Sequence, residues 1–135
     1  MTPSDLQTIV VGYAPSARSD AALNRAIAEA KHHGARLVVV NGSAGDRYAD
    51  SSFASDDQLT AVRQQLDDAR VDYDVRQPVR GNDGADEVLA TAEEVSADLI
   101  VIGLRRRSAV GKLLLGSTAQ RILIQAGCDV LAVKE

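Results

Sequence analysis

The sequence predicts an α/β fold, a five-stranded parallel sheet doubly wound in three layers, α/β/α. Three observations predict it. Short apolar runs alternate strictly with amphipathic stretches in the order βαβαβαβαβ. Such alternation implies parallel strands joined by right-handed crossovers, with helices on both faces. The runs are apolar at nearly every position, as in Leu37-Val38-Val39-Val40 and Leu99-Ile100-Val101-Ile102, which suits strands covered on both faces. With one Phe, three Tyr and no Trp, the core must be Val, Leu, Ile and Ala.

Thr8 to Val11, ending at Gly12, reads as the first, central strand. Ala14-Pro15-Ser16 is a loop, and the first helix carries Leu23, Ala26, Ile27 and Ala30 on one face, with Gly34 as its stop. Leu37 to Val40 is strand two. Asn41 to Ser55 is rich in Gly, Ser and Asp and reads as a loop. Ser55 with Gln58 forms a capping box for helix two, whose buried stripe is Leu59, Val62, Leu66 and Ala69. Val71 to Val75 alternates, as a half-exposed edge strand does. Gly81-Asn82-Asp83-Gly84 is a turn, and helix three buries Val88, Leu89, Ala92 and Val95. Leu99 to Ile102 is strand four. A basic, Gly-marked loop from Gly103 to Thr118 leads to helix four, Ala119 to Ala126, and Val130 to Val133 is the last strand. That strand is apolar throughout. Either it lies beside strand four with a bare edge, guarded by Lys134 and Glu135, or another subunit pairs with it in a homodimer.

At 135 residues the chain is one domain, 1–135, long enough to bury about two-thirds of its unfolded surface. A net charge of −4 argues against nucleic acid as a partner. The single Cys128 excludes an intrachain disulfide and an all-Cys metal site. The N-terminus lacks the pattern of a signal peptide, and no apolar run approaches the ~20 residues that span a bilayer. The expectation is a soluble cytoplasmic protein with no membrane partner.

In open parallel sheets, ligands bind at the carboxyl ends of strands where the order reverses. The loops after strands one and four meet there if those strands are neighbours. Only the second has phosphate-binding character. It puts Arg105, Arg106, Arg107, Lys112 and Arg121 near a helix start marked by Gly116-Ser117-Thr118, where unpaired N–H groups and the helix dipole favour an anion. Neither standard phosphate motif fits. Gly111-Lys112 is followed by Leu113 rather than Ser or Thr, and Gly12 is followed by Tyr13-Ala14-Pro15-Ser16 rather than a Gly-x-Gly-x-x-Gly pattern. From the residues alone this is an anion or phosphate site of open identity.

Ser96-Ala97-Asp98-Leu99-Ile100-Val101-Ile102-Gly103, Leu113-Leu114-Leu115-Gly116-Ser117-Thr118-Ala119 and Cys128-Asp129-Val130-Leu131-Ala132-Val133 closely resemble a single-domain universal stress protein, and the resemblance covers nearly the whole chain. Nucleotide-binding members carry Gly-x2-Gly-x9-Gly-Ser/Thr between strand four and helix four. Gly103 matches the first Gly, and Gly116-Ser117 match the final pair. The resemblance implies a Rossmann-like fold of the adenine nucleotide alpha hydrolase type, strand order 3-2-1-4-5, and dimerisation through the last strand. It also implies a regulatory module in the stress response that binds ATP, AMP or another adenine nucleotide, with or without Mg2+, and is not an enzyme. Gly103, Gly116, Ser117 and Thr118 would hold phosphates with Arg105 or Arg106, and Tyr13, Ala14 and Ile102 would line the base or sugar pocket.

Two positions depart from the family. Arg106 replaces its second Gly, and Ala14 replaces the acidic residue that holds the ribose or adenine. Losing hydrogen bonds to a charged acceptor costs about 1.5–3 kcal/mol each, roughly ten- to a hundredfold in affinity. The alternative is a dimeric interaction protein of the same fold that has lost nucleotide binding. A slow ATPase lacks any candidate general base or metal cage.

Each residue also has a plainer reading. Gly116, Ser117 and Thr118 also read as a helix cap, and Gly103 as a tight turn, though the spacing favours binding for both. The Arg run and Lys112 fit a solvated surface, and Asn41 a loop asparagine. His32 and His33 suit the negative end of helix one, and Cys128 a small buried side chain. Asp83, Asp86 and Glu87 place negative charge at the start of helix three.

Overall fold

The computed structural model describes residues 6–14, 16–42, 54–77, 84–104 and 116–135. Five strands and four helices alternate: β1 (Thr8–Gly12), α1 (Ala17–His33), β2 (Arg36–Val40), α2 (Asp56–Ala69), β3 (Tyr73–Arg76), α3 (Gly84–Glu94), β4 (Leu99–Leu104), α4 (Ser117–Gln125) and β5 (Asp129–Lys134). The strands form one parallel sheet in the order β3-β2-β1-β4-β5, the order implied by the family resemblance.

Side-chain alternation along the strands divides the core into two halves. Ile9, Val11, Leu37, Val39, Leu99 and Val101 pack under α1 and α2 with Leu23, Ile27, Val62 and Leu66. Val10, Val38, Val40, Ile100, Ile102 and Leu104 pack under α3 and α4 with Val88, Ala92 and Ile122. Every position from Leu37 to Val40 is buried, as a run sandwiched between two helical layers must be.

Local signals set the helix ends. Gly34 closes α1 in the left-handed region, φ 66°, where a side chain would add strain. Both bonds of the Ser55–Gln58 capping box are present: the Ser55 N–H donates to Gln58 Oε1 at 2.7 Å and the Gln58 N–H to Ser55 Oγ at 3.2 Å. Arg70 closes α2 in the left-handed region, φ 59°, without being glycine.

The boundaries move most at three places. β3 begins at Tyr73, two residues into the alternating run, and extends to Arg76, whose carbonyl accepts the Asn41 N–H at 2.9 Å. β4 continues through Gly103 and Leu104, because β5 pairs with it up to Lys134. α4 begins at Ser117, two residues before its apolar face, since its first residues lie outside the core. Of the expected turn at 81–84, Gly84 opens α3 and the rest lies outside the described residues.

The two sheet edges differ. On β3, Asp74 pairs with Arg76 at 3.0 Å and with Arg36 of β2 at 3.9 Å, and Arg76 also pairs with Glu94. On β5, Val130 to Val133 are half-buried and carry no charge. Exposed Leu123 and Ile124 lie on α4, which immediately precedes β5 in the chain.

Candidate functional site

Strand order reverses between β1 and β4, so the crevice that open parallel sheets use for ligands lies at their carboxyl ends. Three groups of described residues build that edge: the turn from β1 into α1, the end of β4, and the start of α4.

The turn is tied by its own polar groups. Tyr13 N–H donates to Val40 O at 2.9 Å, and Ala14 N–H donates to Ser19 Oγ at 3.0 Å. Ser16, the N-cap of α1, accepts from Ser19 N–H at 3.2 Å, and its hydroxyl donates to Ala14 O at 3.1 Å. The Tyr13 ring packs against the core under α1 and α2. Burial pushes its phenol pKa up, and the nearby Asp20 charge adds to the rise.

Asn41, 0% exposed at the end of β2, holds this turn to its neighbours. Its Nδ2 donates to Tyr13 O at 2.7 Å, and its Oδ1 accepts from Ala54 N–H and Gln77 Nε2, both at 2.8 Å. Gln77 Nε2 also reaches Ala54 O at 2.7 Å. One buried amide therefore joins β1, β2, the approach to α2 and the residue after β3. Asn41 is the loop residue that follows β2, as its sequence context predicts, and its burial adds a structural role to that reading.

Gly103 is neither a turn nor a loop residue. It sits in β4 opposite Val133, and α1 lies directly on it. A Cβ built there would stand 2.1 Å from the Arg18 carbonyl oxygen and 2.6 Å from its carbon. Close helix–strand packing is one of the uses of glycine in such folds. Ile102, 5% exposed, points into the core under α3 and α4.

Gly116 is the N-cap of α4 and, lacking a side chain, makes no side-chain cap bond. Ser117 and Thr118 are exposed first-turn residues rather than caps. Gly116 O accepts Gln120 N–H at 2.9 Å. The N–H groups of the preceding turn point off the helix end, where an anion is stabilised. An Arg121–Asp86 ion pair joins the second turn of α4 to the first turn of α3. Arg105, Arg106, Arg107 and Lys112 lie outside the described residues.

Sequence reasoning missed Ser19, Gln77 and the burial of Glu87. Ser19 is the third helical residue after the Ser16 cap, and that spacing could have flagged it. Glu87 was read as a first-turn charge, yet it is 1% exposed and packs on the backbone at Gly42. Nothing in the sequence separates it from the half-buried Asp86 beside it. His33 lies 3.7 Å from Glu29 at the far end of α1. No group of three or more His, Cys, Asp or Glu gathers to hold a metal among the described residues. A shallow hollow of about 390 Å³ between the ends of α1 and α2 lies at the amino end of the sheet, away from the crevice.

Comparison with known proteins places this architecture. The universal stress protein family model matches residues 6–134. A universal stress protein of Mycolicibacterium smegmatis is 45% identical over 126 residues, covering 93% of this chain and 96% of that protein. Among solved structures, a universal stress protein from Archaeoglobus fulgidus superposes with a TM-score of 0.81 at 29% identity, covering 95% of this chain and 98% of the other. A universal stress protein in complex with cAMP superposes with a TM-score of 0.73 at 27% identity, covering 96% and 98%.

Proposed function

Because this chain belongs to the universal stress protein family, we propose that it is a regulatory module that binds an adenine nucleotide, ATP or AMP, and responds by changing its contacts rather than by turnover. The observation that carries the reading is the exposed start of α4, free of a side-chain cap, at the edge where β1 and β4 part. The N–H groups of Ser117 and Thr118 hold the phosphates, and Arg105 or Arg106 of the β4–α4 connection supplies positive charge. Gly103 serves by letting α1 close on β4. The cAMP complex of a 27% identical relative supports the choice of ligand class. Any Mg2+ travels with the phosphates of ATP, since no described cluster of protein ligands calls for it.

The output is exchanged with a second copy. The uncharged run Val130 to Val133 of β5 and the apolar side chains of Leu123 and Ile124 support a homodimer through the last strand. No helix among the described residues is long and apolar enough to cross a membrane, and we place the protein in the cytoplasm. A set of N–H donors and cations binds an anion without moving a proton, which is why we assign no ATPase activity.

Calorimetry with ATP, AMP and cyclic AMP tests the reading. Saturable heat in the micromolar to millimolar range is expected, and no heat at millimolar ligand rejects it. One observation favours a second reading, a dimeric interaction protein without nucleotide: Ala14 brings only a methyl group to the crevice. Nucleotide released on denaturing the purified protein, identified by mass spectrometry, rejects that alternative.

A further inference from the structure

Arg18 is a cation in a core-facing position. It stands four residues before Ala22, on the stripe that continues through Ala26 and Ala30, and those three are 0%, 0% and 1% exposed. Residues four apart share one face of a helix, so Arg18 faces the sheet. The backbone agrees: its Cβ lies 3.1 Å from where a Gly103 Cβ would stand, near the carboxyl end of β4. Helical Cα–Cβ bonds tilt toward the helix start, and α1 starts at the carboxyl edge of the sheet. The half-buried side chain therefore leaves α1 toward the crevice.

The placement is unfavourable for the chain alone. A positive charge in the first turn of a helix opposes the helix dipole, and partial burial weakens its hydration. Asp20, the acid of that turn, is two residues away, and residues so spaced do not face each other. Among the described residues Arg18 makes no ion pair and no side-chain hydrogen bond. The connection that follows β4, residues 105–115, carries Arg105, Arg106, Arg107 and Lys112 and no acid, so it adds charge of the same sign. A cation held sheet-ward at this edge, against the dipole and beside a basic connection, is matched by an anion that binds there.

We infer that Arg18 binds the outer phosphates of the nucleotide, from the face of the sheet opposite α4, and makes the site prefer a triphosphate to a monophosphate. This deepens the nucleotide reading and rests on it. The helix α4 lies with α3 on one face of the sheet, and α1 lies on the other. A single phosphate on the Ser117 and Thr118 N–H groups leaves Arg18 without an anion. A longer phosphate chain carries more charge and offers further oxygens, and the planar guanidinium pairs with two of them at once. Gly103 belongs to the same arrangement, since a side chain there would push Arg18 away from β4.

The test is calorimetric titration of the full chain, stripped of nucleotide, with ATP, ADP and AMP at one salt and Mg2+ concentration, for the parent and for Arg18→Gln and Arg18→Lys. The parent is expected to bind ATP about tenfold tighter than AMP, the lower end for a charged pair because Arg18 is partly exposed. Arg18→Gln should lose roughly tenfold for ATP and stay within about threefold for AMP. Arg18→Lys keeps the charge without the fork and should fall between. Arg18→Gln should melt no more than about 3 °C below the parent, since a cation has left the positive end of α1. A larger fall marks a side chain that holds α1 on β4 and overturns the inference. So does ATP affinity in Arg18→Gln within about threefold of the parent, an equal loss for ATP and AMP, or equal binding of the two by the parent, and each leaves the nucleotide reading standing. Absence of heat with ATP in the parent overturns both.

Discussion

Gly103→Ala is the most direct test of how the crevice is built. The added Cβ would lie 2.1 Å from the Arg18 carbonyl oxygen, 2.6 Å from its carbon and 3.1 Å from its Cβ. A carbon and a carbonyl oxygen rest at about 3.3 Å or more, so the first turn of α1 must retreat by roughly 1.2 Å. The obstacle is backbone, which cannot swing aside as a side-chain end does. Overpacking of this kind costs about 1–3 kcal/mol, and a helix pushed off its strand belongs at the upper end. With an unfolding entropy of about 2.1 cal/mol/K per residue over 135 residues, about 3 kcal/mol lowers Tm by roughly 10 °C. Thermal unfolding followed by far-UV circular dichroism reads this directly. Gly127→Ala is the control, since nothing lies within 4 Å of its Cβ position, and its expected change is within about 0.5 kcal/mol. A Gly103→Ala protein that melts within about 2 °C of the parent refutes the close approach.

Asn41→Leu removes the amide that Tyr13, Ala54 and Gln77 share. The buried groups left unmatched should cost about 2–4 kcal/mol in denaturant unfolding, and a loss below ~1 kcal/mol counts against the network. Arg70→Gly relieves a left-handed residue at φ 59° and should stabilise by roughly 0.5–1 kcal/mol; unchanged or lower stability shows the position to be unstrained. Burial first, then the charges of Asp129 and Asp98, hold the Cys128 thiol pKa above its ordinary value. At pH 8 it therefore carries less thiolate than a free cysteine and should react more slowly with an aromatic disulfide reagent, accelerating as pH rises. Reaction at the model-thiol rate contradicts this. Tyr13 also titrates above its usual value, so its neutral form favours the fold. That contribution is complete below the unfolded phenol pKa, near 10, and is lost as pH rises through the folded value, a decline that Tyr13→Phe should reduce.

The architecture was legible because it rests on periodicity, the strongest signal a sequence carries. Leu37 to Val40 and Leu99 to Ile102 could hardly be anything but buried strands, and Ser55 with Gln58 announced its helix. The crevice was legible in outline, as Gly116-Ser117-Thr118 fell at the start of α4. Its particulars were not, because they depend on partners far apart in the chain. Gly103 looked like a loop glycine from its neighbours, and only the arrival of Arg18 from α1 explains it. Asn41 looked like punctuation between strand and loop, yet Tyr13 and Gln77 reach it from 28 and 36 residues away. Glu87 and Asp86 are adjacent acids in one helical turn, and which is enclosed depends on the face that α3 turns to the sheet.

The unequal borders of the sheet set a limit on how copies of this chain can add to one another. Asp74, Arg76 and the ion pairs they make leave the β3 border a poor template for another backbone, while the middle of β5, Val130 to Val133, carries no charge. With one permissive border per molecule, strand-by-strand growth has nowhere to go after the first union. Joining two such borders about a two-fold axis leaves guarded flanks on both outer sides, so the chain can associate without a route to fibres.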